Sequence, residues 1–543
     1  MAAGSRGRYH PADTSTGRSM SRSLAKSTTV VGGMTLTSRV MGFLRDIIFA
    51  RFFGAGVGMD VFVVAFQIPN FLRRLFGEGA FSQAFVPVLS EYESQRSHRE
   101  VQELADRVAG TLGLLLMAIT VVGVLVAPLL ILLFAPGFSG QEDKFDLATG
   151  MLRLTFPYLL FICLVAFAGG ILNTFGRFAV PAFTPVLLNL VLIGSVFFLA
   201  PHFDQPVYGL AAGVFIAGVV QLAFQVPFLR GVRVLPRPRW GWAHEGVRRI
   251  IRLMLPAILG SSVAQINLII DRIIASFLVT GSISWLYYSD RLLEFPLGVF
   301  AIALATVILP GLSKHHSGKS AEAFSATLDW ALKLALVIAL PAAVGMFLLA
   351  GPMVATLFNY GAFQAEDVRM ASYSVMAYAL GLMAFTLVKV LAPGYFSRQD
   401  TRTPVRISVI SMLTNIVLNV AIVLPMMHFG ITAPHAGLAL ATGLAAVLNA
   451  GLLYRGLRRI GVYAPGRDWG WLAIRVALAN VLMAVVLWFF AGELDAWIGM
   501  PWFDRAIRLA GCVLAGLIVY LTTLWLSGLR PRHLGMRPEL SGR

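Results

Sequence analysis

The sequence predicts an all-α polytopic membrane protein with 14 transmembrane helices: two parallel-repeat six-helix lobes followed by two extra C-terminal helices. Three observations predict it. First, 57% of the 543 residues are hydrophobic and only 13% are charged, where a soluble domain carries about 25% charged residues; the mean hydropathy is +0.76. Second, apolar runs long enough to cross hydrocarbon, roughly 20 residues each, recur along the whole chain between short polar loops. Third, the chain repeats itself. Asp46 in RDIIFARFFGAG matches Asp271 in DRIIASFLVTG at an offset of 225, and Pro87 in VPVLS matches Pro310 in LPGLS at 223. Phe134 in LFAPGF matches Phe358 in LFNYGAF at 224, and Gly209 in YGLAAG matches Gly437 in AGLALA at 228. An offset covering six spans returns the chain to the same orientation, so the repeats are parallel and related by an axis along the membrane normal, an arrangement used by alternating-access transporters.

Residues 1–27 are polar, basic and rich in Gly, Ser and Arg. They read as a disordered cytoplasmic tail, because a signal peptide needs an apolar core and a small-residue cleavage site. The first lobe, 28–229, holds expected spans at 28–53, 61–90, 108–134, 149–174, 181–200 and 207–229. The second, 230–460, holds spans at 250–279, 284–313, 328–350, 368–396, 404–425 and 435–455. Spans 470–490 and 505–527 fall outside the repeat, in 461–530, and 531–543 reads as a cytoplasmic tail. Pro69, Pro87, Pro296 and Pro310 fall in the second and eighth spans and predict kinked or broken helices there, tolerable where the freed backbone groups face protein or water.

The formal net charge of +17 does not point to nucleic acid, because most Arg and Lys sit in short loops, the distribution that orients membrane helices. Arg230 to Arg252 contains seven arginines against Glu245, and Arg455 to Arg475 contains five against Asp468. Both segments, and both termini, are expected to be cytoplasmic. The loops assigned outside, such as 139–146 and 492–504, are acidic or nearly neutral.

Charges inside the apolar runs carry the functional signal. A charge at the centre of a spanning helix costs roughly 2.5–3.5 kcal/mol, so such residues normally face a bundle interior or a wet cavity. The first helix pair carries Arg39, Arg45, Asp46, Arg51, Asp60, Arg73, Arg74 and Glu78, and the eighth span opens with Asp290, Arg291 and Glu294. Arg39 and Asp46, two turns apart, share a face, with Arg45 pointing elsewhere unless the stretch around Gly42 alters the winding. Arg74 and Glu78 stand at i and i+4 and are placed to pair, and Arg291 is flanked by two carboxylates. Closed ion pairs or snorkelling to headgroups would account for some of these charges, Arg51 and Asp60 above all. Five arginines against Asp46, Asp60 and Glu78 in the first pair leave an uncompensated positive charge. A cationic chamber implies an anionic partner, and guanidinium forks suit phosphate or pyrophosphate. Asp271, in the apolar run INLIIDRIIASF, either coordinates a coupling cation with Asp400 or Asn415, or pairs with Arg272 or Lys389. No nucleotide-binding glycine loop, nucleophile elbow or metalloprotease motif is evident.

The segments SRVMGFLRDIIFARFFGAG, IPNFLRRLFGEGAFSQAFVP, SWLYYSDRLLEFPLGV and KVLAPGYFSRQDTRTPV closely resemble the lipid II flippase family MurJ, also called MviN, of the multidrug/oligosaccharidyl-lipid/polysaccharide exporter superfamily. The resemblance runs from about Met20 to the last span. It implies a V-shaped central cavity, a final helix pair forming a hydrophobic groove, and lipid II as substrate: the undecaprenyl-pyrophosphate-linked disaccharide-pentapeptide, moved from the cytoplasmic to the periplasmic leaflet of the bacterial inner membrane. Carried onto this chain, the cavity charges fall on Arg39, Arg45, Asp60, Arg73, Arg74 and Arg291, with Asp46, Glu78, Asp290 and Glu294 as acidic neighbours. The resemblance implies a transporter without a cofactor, driven by membrane potential or a coupling ion (Na+, H+ or Cl−). It implies a monomer among membrane phospholipids, with peptidoglycan synthesis proteins as candidate partners. Three rival readings are a flippase of another prenyl-pyrophosphate glycan, an ion-coupled drug antiporter of the same superfamily, which the arginine excess disfavours, and an envelope-glycolipid enzyme or scaffold, which would cluster polar catalytic residues at a membrane surface.

Overall fold

The computed structural model describes residues 14–75, 81–317 and 320–530. Twenty α-helices and no strand occur among these residues. They are α1 (Thr14–Phe53), α2 (Val57–Arg73), α3 (Ser82–Gln95), α4 (His98–Leu125), α5 (Ala127–Phe134), α6 (Glu142–Thr155), α7 (Tyr158–Thr174), α8 (Ala179–Phe198), α9 (Val207–Gly231) and α10 (Glu245–Ser276). There follow α11 (Ser282–Pro296), α12 (Ile302–Ser317), α13 (Ala321–Leu348), α14 (Ala350–Phe358), α15 (Ala365–Phe396), α16 (Arg402–His428), α17 (Pro434–Arg459), α18 (Trp469–Ala491), α19 (Leu494–Gly499) and α20 (Trp502–Leu526). Ten helical stretches among the described residues are long and apolar enough to cross a membrane.

Several expected spans are interrupted, each for a local reason. In the second, α2 carries Pro69 and α3 carries Pro87 within continuous helix, and residues 76–80 between them lie outside the described residues. α4 stops at Val126 and α5 restarts with Pro128 in its first turn, where a missing N–H costs nothing. α6 and α7 part at Phe156 and Pro157. The eighth span runs as α11, a π-helical turn at Leu297–Ala301 and α12, with the turn directly after Pro296. At the N-terminus the expected boundary at 28 falls inside a continuous helix, since α1 already begins at Thr14. Pro11 is the last proline before it, and nothing from Thr14 onward breaks helix. Glu78, residues 1–13 and residues 531–543 lie outside the described residues.

The sequence repeat reappears as a repeat of neighbours. α1 packs on α8, α8 on α9, and α7 on α9; α10 packs on α16, α16 on α17, and α15 on α17. Phe134 and Phe358, matched in sequence, are each the last residue of a short helix, α5 and α14. Apolar burial is distributed unevenly along the helices. Where α1 joins α2, a single cluster draws Phe49, Met59 and Phe62 together with Tyr288, Phe358 and Phe363. At the opposite end there are two separate clusters, one around Phe85, Leu104 and Ile171, the other around Leu312, Leu328 and Tyr395. α18 docks on α13, and α20 on α14. Two arginines of α20 fix this last pair by bonding carbonyls at other helices' C-termini. Arg505 donates to Ala355 O at 2.7 Å and Asn359 O at 3.3 Å, and Arg508 to Phe490 O at 3.1 Å and Ala491 O at 3.2 Å.

Candidate functional site

The charged part of α1 and the middle of α11 meet around one carboxylate. Asp46 is 1% exposed. Its Oδ1 accepts from Arg45 Nε at 2.9 Å, Arg45 Nη2 at 2.7 Å and the Tyr287 hydroxyl at 2.7 Å. Its Oδ2 lies 3.2 Å from Arg291 Nε, close enough for an ion pair but without hydrogen-bond alignment. Arg45 also donates to Asn189 Oδ1 on α8 at 3.0 Å and to Tyr287 Oη at 3.1 Å. Arg291 bonds Glu294 Oε2 at 2.7 Å, and its guanidinium sits 4.9 Å from the Tyr287 ring centroid. Asp290 is within electrostatic reach of Arg291, Arg272 and Arg74. Arg73, half-buried, donates to Asn70 Oδ1 at 3.1 Å, and Arg74 is exposed.

Two expectations are corrected here. Arg45 does not point away from Asp46, because its long side chain turns back along the helix surface to its neighbour's carboxylate. Arg39 shares Asp46's helical face but leaves it to Arg45 and Arg291. Its exposed guanidinium instead lies against Gly298 in the π-helical turn, so close that a Cβ there would push it aside. Arg45 is thus sealed, while Arg39, Arg74, Glu294 and a third of the Arg291 side chain stay accessible. Guanidinium groups of α1 and α11 thus meet around one buried carboxylate, with Arg74 within electrostatic reach of the neighbouring Asp290, a cationic setting that suits an anion.

Asp60, expected among the chamber charges, is elsewhere. It is 1% exposed and closes the end where α1 joins α2. Its Oδ1 accepts from Ser284 N at 2.9 Å and Ser284 Oγ at 2.7 Å, and its Oδ2 from Gly281 N at 2.8 Å. Those are orphan donors of α11's first turn, so α2 supplies the N-cap that Gly281, with no side chain and a φ of 98°, cannot give. Lys144 Nζ, 3.4 Å away, is the counter-ion, so Asp60 sits in a closed ion pair of the kind its sequence position allowed. Around this clasp, Ala362 N donates to Arg51 O at 2.8 Å, Tyr288 Oη to Gly54 O at 3.1 Å, and Trp285 Nε1 to Asp367 Oδ1 at 2.8 Å. Gly54, at φ 62°, lies so close to the Ala362 carbonyl that any side chain would collide with it.

Asp271 is held by neutral groups. Asn419 Nδ2 donates to its Oδ1 at 2.7 Å and Thr442 Oγ1 to its Oδ2 at 3.4 Å. With its amide turned so that both ends are satisfied, Asn415 reaches the same Oδ1 at 3.1 Å. Arg272 turns away, to Gln67 Oε1 at 3.0 Å and Ile283 O at 3.3 Å. Of the two expected partners, Asn415 is present and Asp400 is not. Asp400 sits in the turn before α16, where its bond from Thr403 N at 3.0 Å holds its carboxyl below the usual range.

The family model for lipid II flippase MurJ matches residues 49–503. The probable lipid II flippase MurJ of Vibrio cholerae serotype O1 is 48% identical over 96% of this chain and 99% of that relative. The chain belongs to the lipid II flippase MurJ family. A solved MurJ structure, described as an inward closed conformation, superposes with a TM-score of 0.75 at 27% identity, covering 91% of this chain and 98% of that one. An inward-facing multidrug resistance MATE transporter of the MOP superfamily shares the fold at a TM-score of 0.62 and 17% identity, over 80% of this chain and 98% of that one.

In this MurJ-family chain, sequence reasoning named the charged residues around Asp46 and, beside Asp271, Asn415, but missed the neutral Tyr287, Asn189 and Asn419. Tyr287 precedes Arg291 by one helical turn in SWLYYSDR, and Asn189 is a lone amide in VLLNLVL. Asn419 follows Asn415 at i+4, so two amides share one face of an apolar helix, a signal that was there to be used.

Proposed function

We propose that this chain carries lipid II from the cytoplasmic to the periplasmic leaflet of the inner membrane by alternating access. In this reading 28–229 and 230–460 are six-helix lobes of a 14-helix protein, 461–530 is the groove-forming pair, and both termini are cytoplasmic. The repeated neighbour pattern favours the two-lobe architecture. The apolar core that is common at one end and divided at the other favours a V opening to the cytoplasm, with the Asp60 clasp on the periplasmic side. The observation that carries the mechanism is Asp46, one buried carboxylate shared between Arg45 of α1 and Arg291 of α11. A pyrophosphate entering beside Arg291, Arg39, Arg73 and Arg74 competes with Asp46 for guanidinium forks, and bidentate Arg–phosphate bonding favours the exchange. Freeing Arg291 from Asp46 loosens α11 from α1, which couples headgroup capture to lobe movement. The experiment is Arg291→Ala in cells depleted of their own flippase. Expected are loss of growth and of lipid II translocation at normal expression; normal translocation sinks the reading.

Coupling to a monovalent cation at Asp271 is a second reading, favoured by one observation. Among the described residues Asn419 Oδ1 is buried without a hydrogen-bond partner, on the amide that bonds the Asp271 carboxylate, as a ligand oxygen would be. Asp271→Asn is expected to fold normally and to lose the dependence of transport on the sodium or proton gradient. Unchanged gradient dependence in that variant removes cation coupling at this site.

A further inference from the structure

An open apolar furrow of about 460 Å³ runs between α13, α15 and α17, with Trp469 at one end. On α15 it is lined by Leu380, Met383 and Leu387, and on α17 by Gly451 and Tyr454. Ala371 of α15 faces α11, since its carbonyl accepts from Ser289 Oγ at 2.9 Å. Leu380 comes nine residues later, about two and a half turns. The furrow is therefore on the far side of α15 from the Asp46 site, facing the surrounding membrane.

Its polar end has the opposite character. The two i, i+4 ridges of α17 that form one wall, Val447 to Gly451 and Ala450 to Tyr454, continue one turn further as Arg455 and Arg458 and a second turn as Arg459, all exposed. The nearby carboxylates do not neutralise them. Asp329 and Asp468 both bind Lys333, at 2.7 Å and 2.5 Å. Asp329 also accepts from Trp469 Nε1 at 2.6 Å, which fixes the indole as the end wall. Gly451 leaves the floor empty, because a Cβ there meets nothing within 4 Å. We propose that this furrow is a binding site for an anionic glycerophospholipid, one acyl chain lying along α15 and α17 and the phosphate seated on Arg455, Arg458 and Arg459. The site is separate from that of the transported headgroup, and it ties the docking region of α18 to the charge of the leaflet.

The test uses the full chain in nanodiscs containing trace phosphatidylglycerol with a diazirine on its acyl chain, ultraviolet capture, and peptide mapping. Adducts are expected on the peptides around Met383 and Gly451. Gly451→Leu, which fills the furrow without a clash, is expected to lower those adducts at least about tenfold. The variant Arg455→Gln/Arg458→Gln/Arg459→Gln is expected to lower capture of the phosphatidylglycerol probe about tenfold or more and leave a phosphatidylcholine probe unchanged. Gel filtration and melting of both variants serve as fold controls. The proposal is overturned by adducts that avoid these peptides, by a Gly451→Leu protein labelled like the wild type, or by capture that ignores the arginines. It is equally overturned if a diazirine-bearing undecaprenyl phosphate labels the furrow in preference to phosphatidylglycerol.

Discussion

At the scale of single residues, the most consequential side chain is one whose role its own surroundings in the sequence do not reveal. Asp60 bonds groups at positions 281 and 284 and a lysine at 144. Asp60→Ala leaves the Lys144 ammonium buried and unpaired, and breaking a buried pair in this way costs on the order of 3–5 kcal/mol. The expected result is a markedly lower melting temperature in detergent, with Lys144→Met in the same chain restoring much of it. An unchanged melting temperature in the single variant contradicts the clasp. Charge in an apolar run identified Asp46 and Arg291 directly, because only a protein-lined or wet environment tolerates them. Tyr287 and Asn189 escaped because a tyrosine beside aromatics and a lone asparagine read as ordinary packing. Asp400 was misplaced because distance along the chain says nothing about depth in the membrane.

At the scale of elements, helix ends do much of the joining. α20 bonds the C-terminal carbonyls of α14 and α18 through Arg505 and Arg508, and Arg505 is 5% exposed. Arg505→Ala removes two hydrogen bonds from a charged donor to buried or part-buried carbonyls, a loss of about 1.5–3 kcal/mol each. Faster hydrogen exchange confined to α14, α19 and α20 is expected; exchange that rises uniformly contradicts this local role. Breaks at Pro128, Pro157 and Pro296 were partly legible, since proline marks them. The start of α1 at Thr14 was not, because a polar segment without prolines is compatible with either helix or coil.

For the molecule as a whole, the two ends differ in what joins them. Opposite the Asp60 clasp, α3 and α10 meet through an exposed bidentate pair, Glu91 with Arg249 at 2.8 and 2.9 Å. The Arg249 hydrogen bond holds the Glu91 carboxyl below its ordinary value of 4.5. A depressed carboxylate contributes stability above that ordinary value and loses it as pH falls through the folded one. Protection of the first turn of α10, corrected for intrinsic exchange, is therefore expected to weaken below pH 4.5 in the wild type and to be independent of pH in Glu91→Gln. The repeated neighbour pattern, α1 on α8 and α10 on α16, was legible from four short matches. The uneven core was not, since it depends on which faces of distant helices meet.

The borrowed cap of α11 ties gating to local melting. If the mouth at the Asp60 clasp parts, Asp60 withdraws and the amides of Gly281 and Ser284 are left for water, so the leading turn of that helix frays. Arg291 stands two to three turns further along the same helix, and its aim relaxes when the strut beneath it does. The mouth that lets the cargo leave would thereby also soften the grip that brought it in.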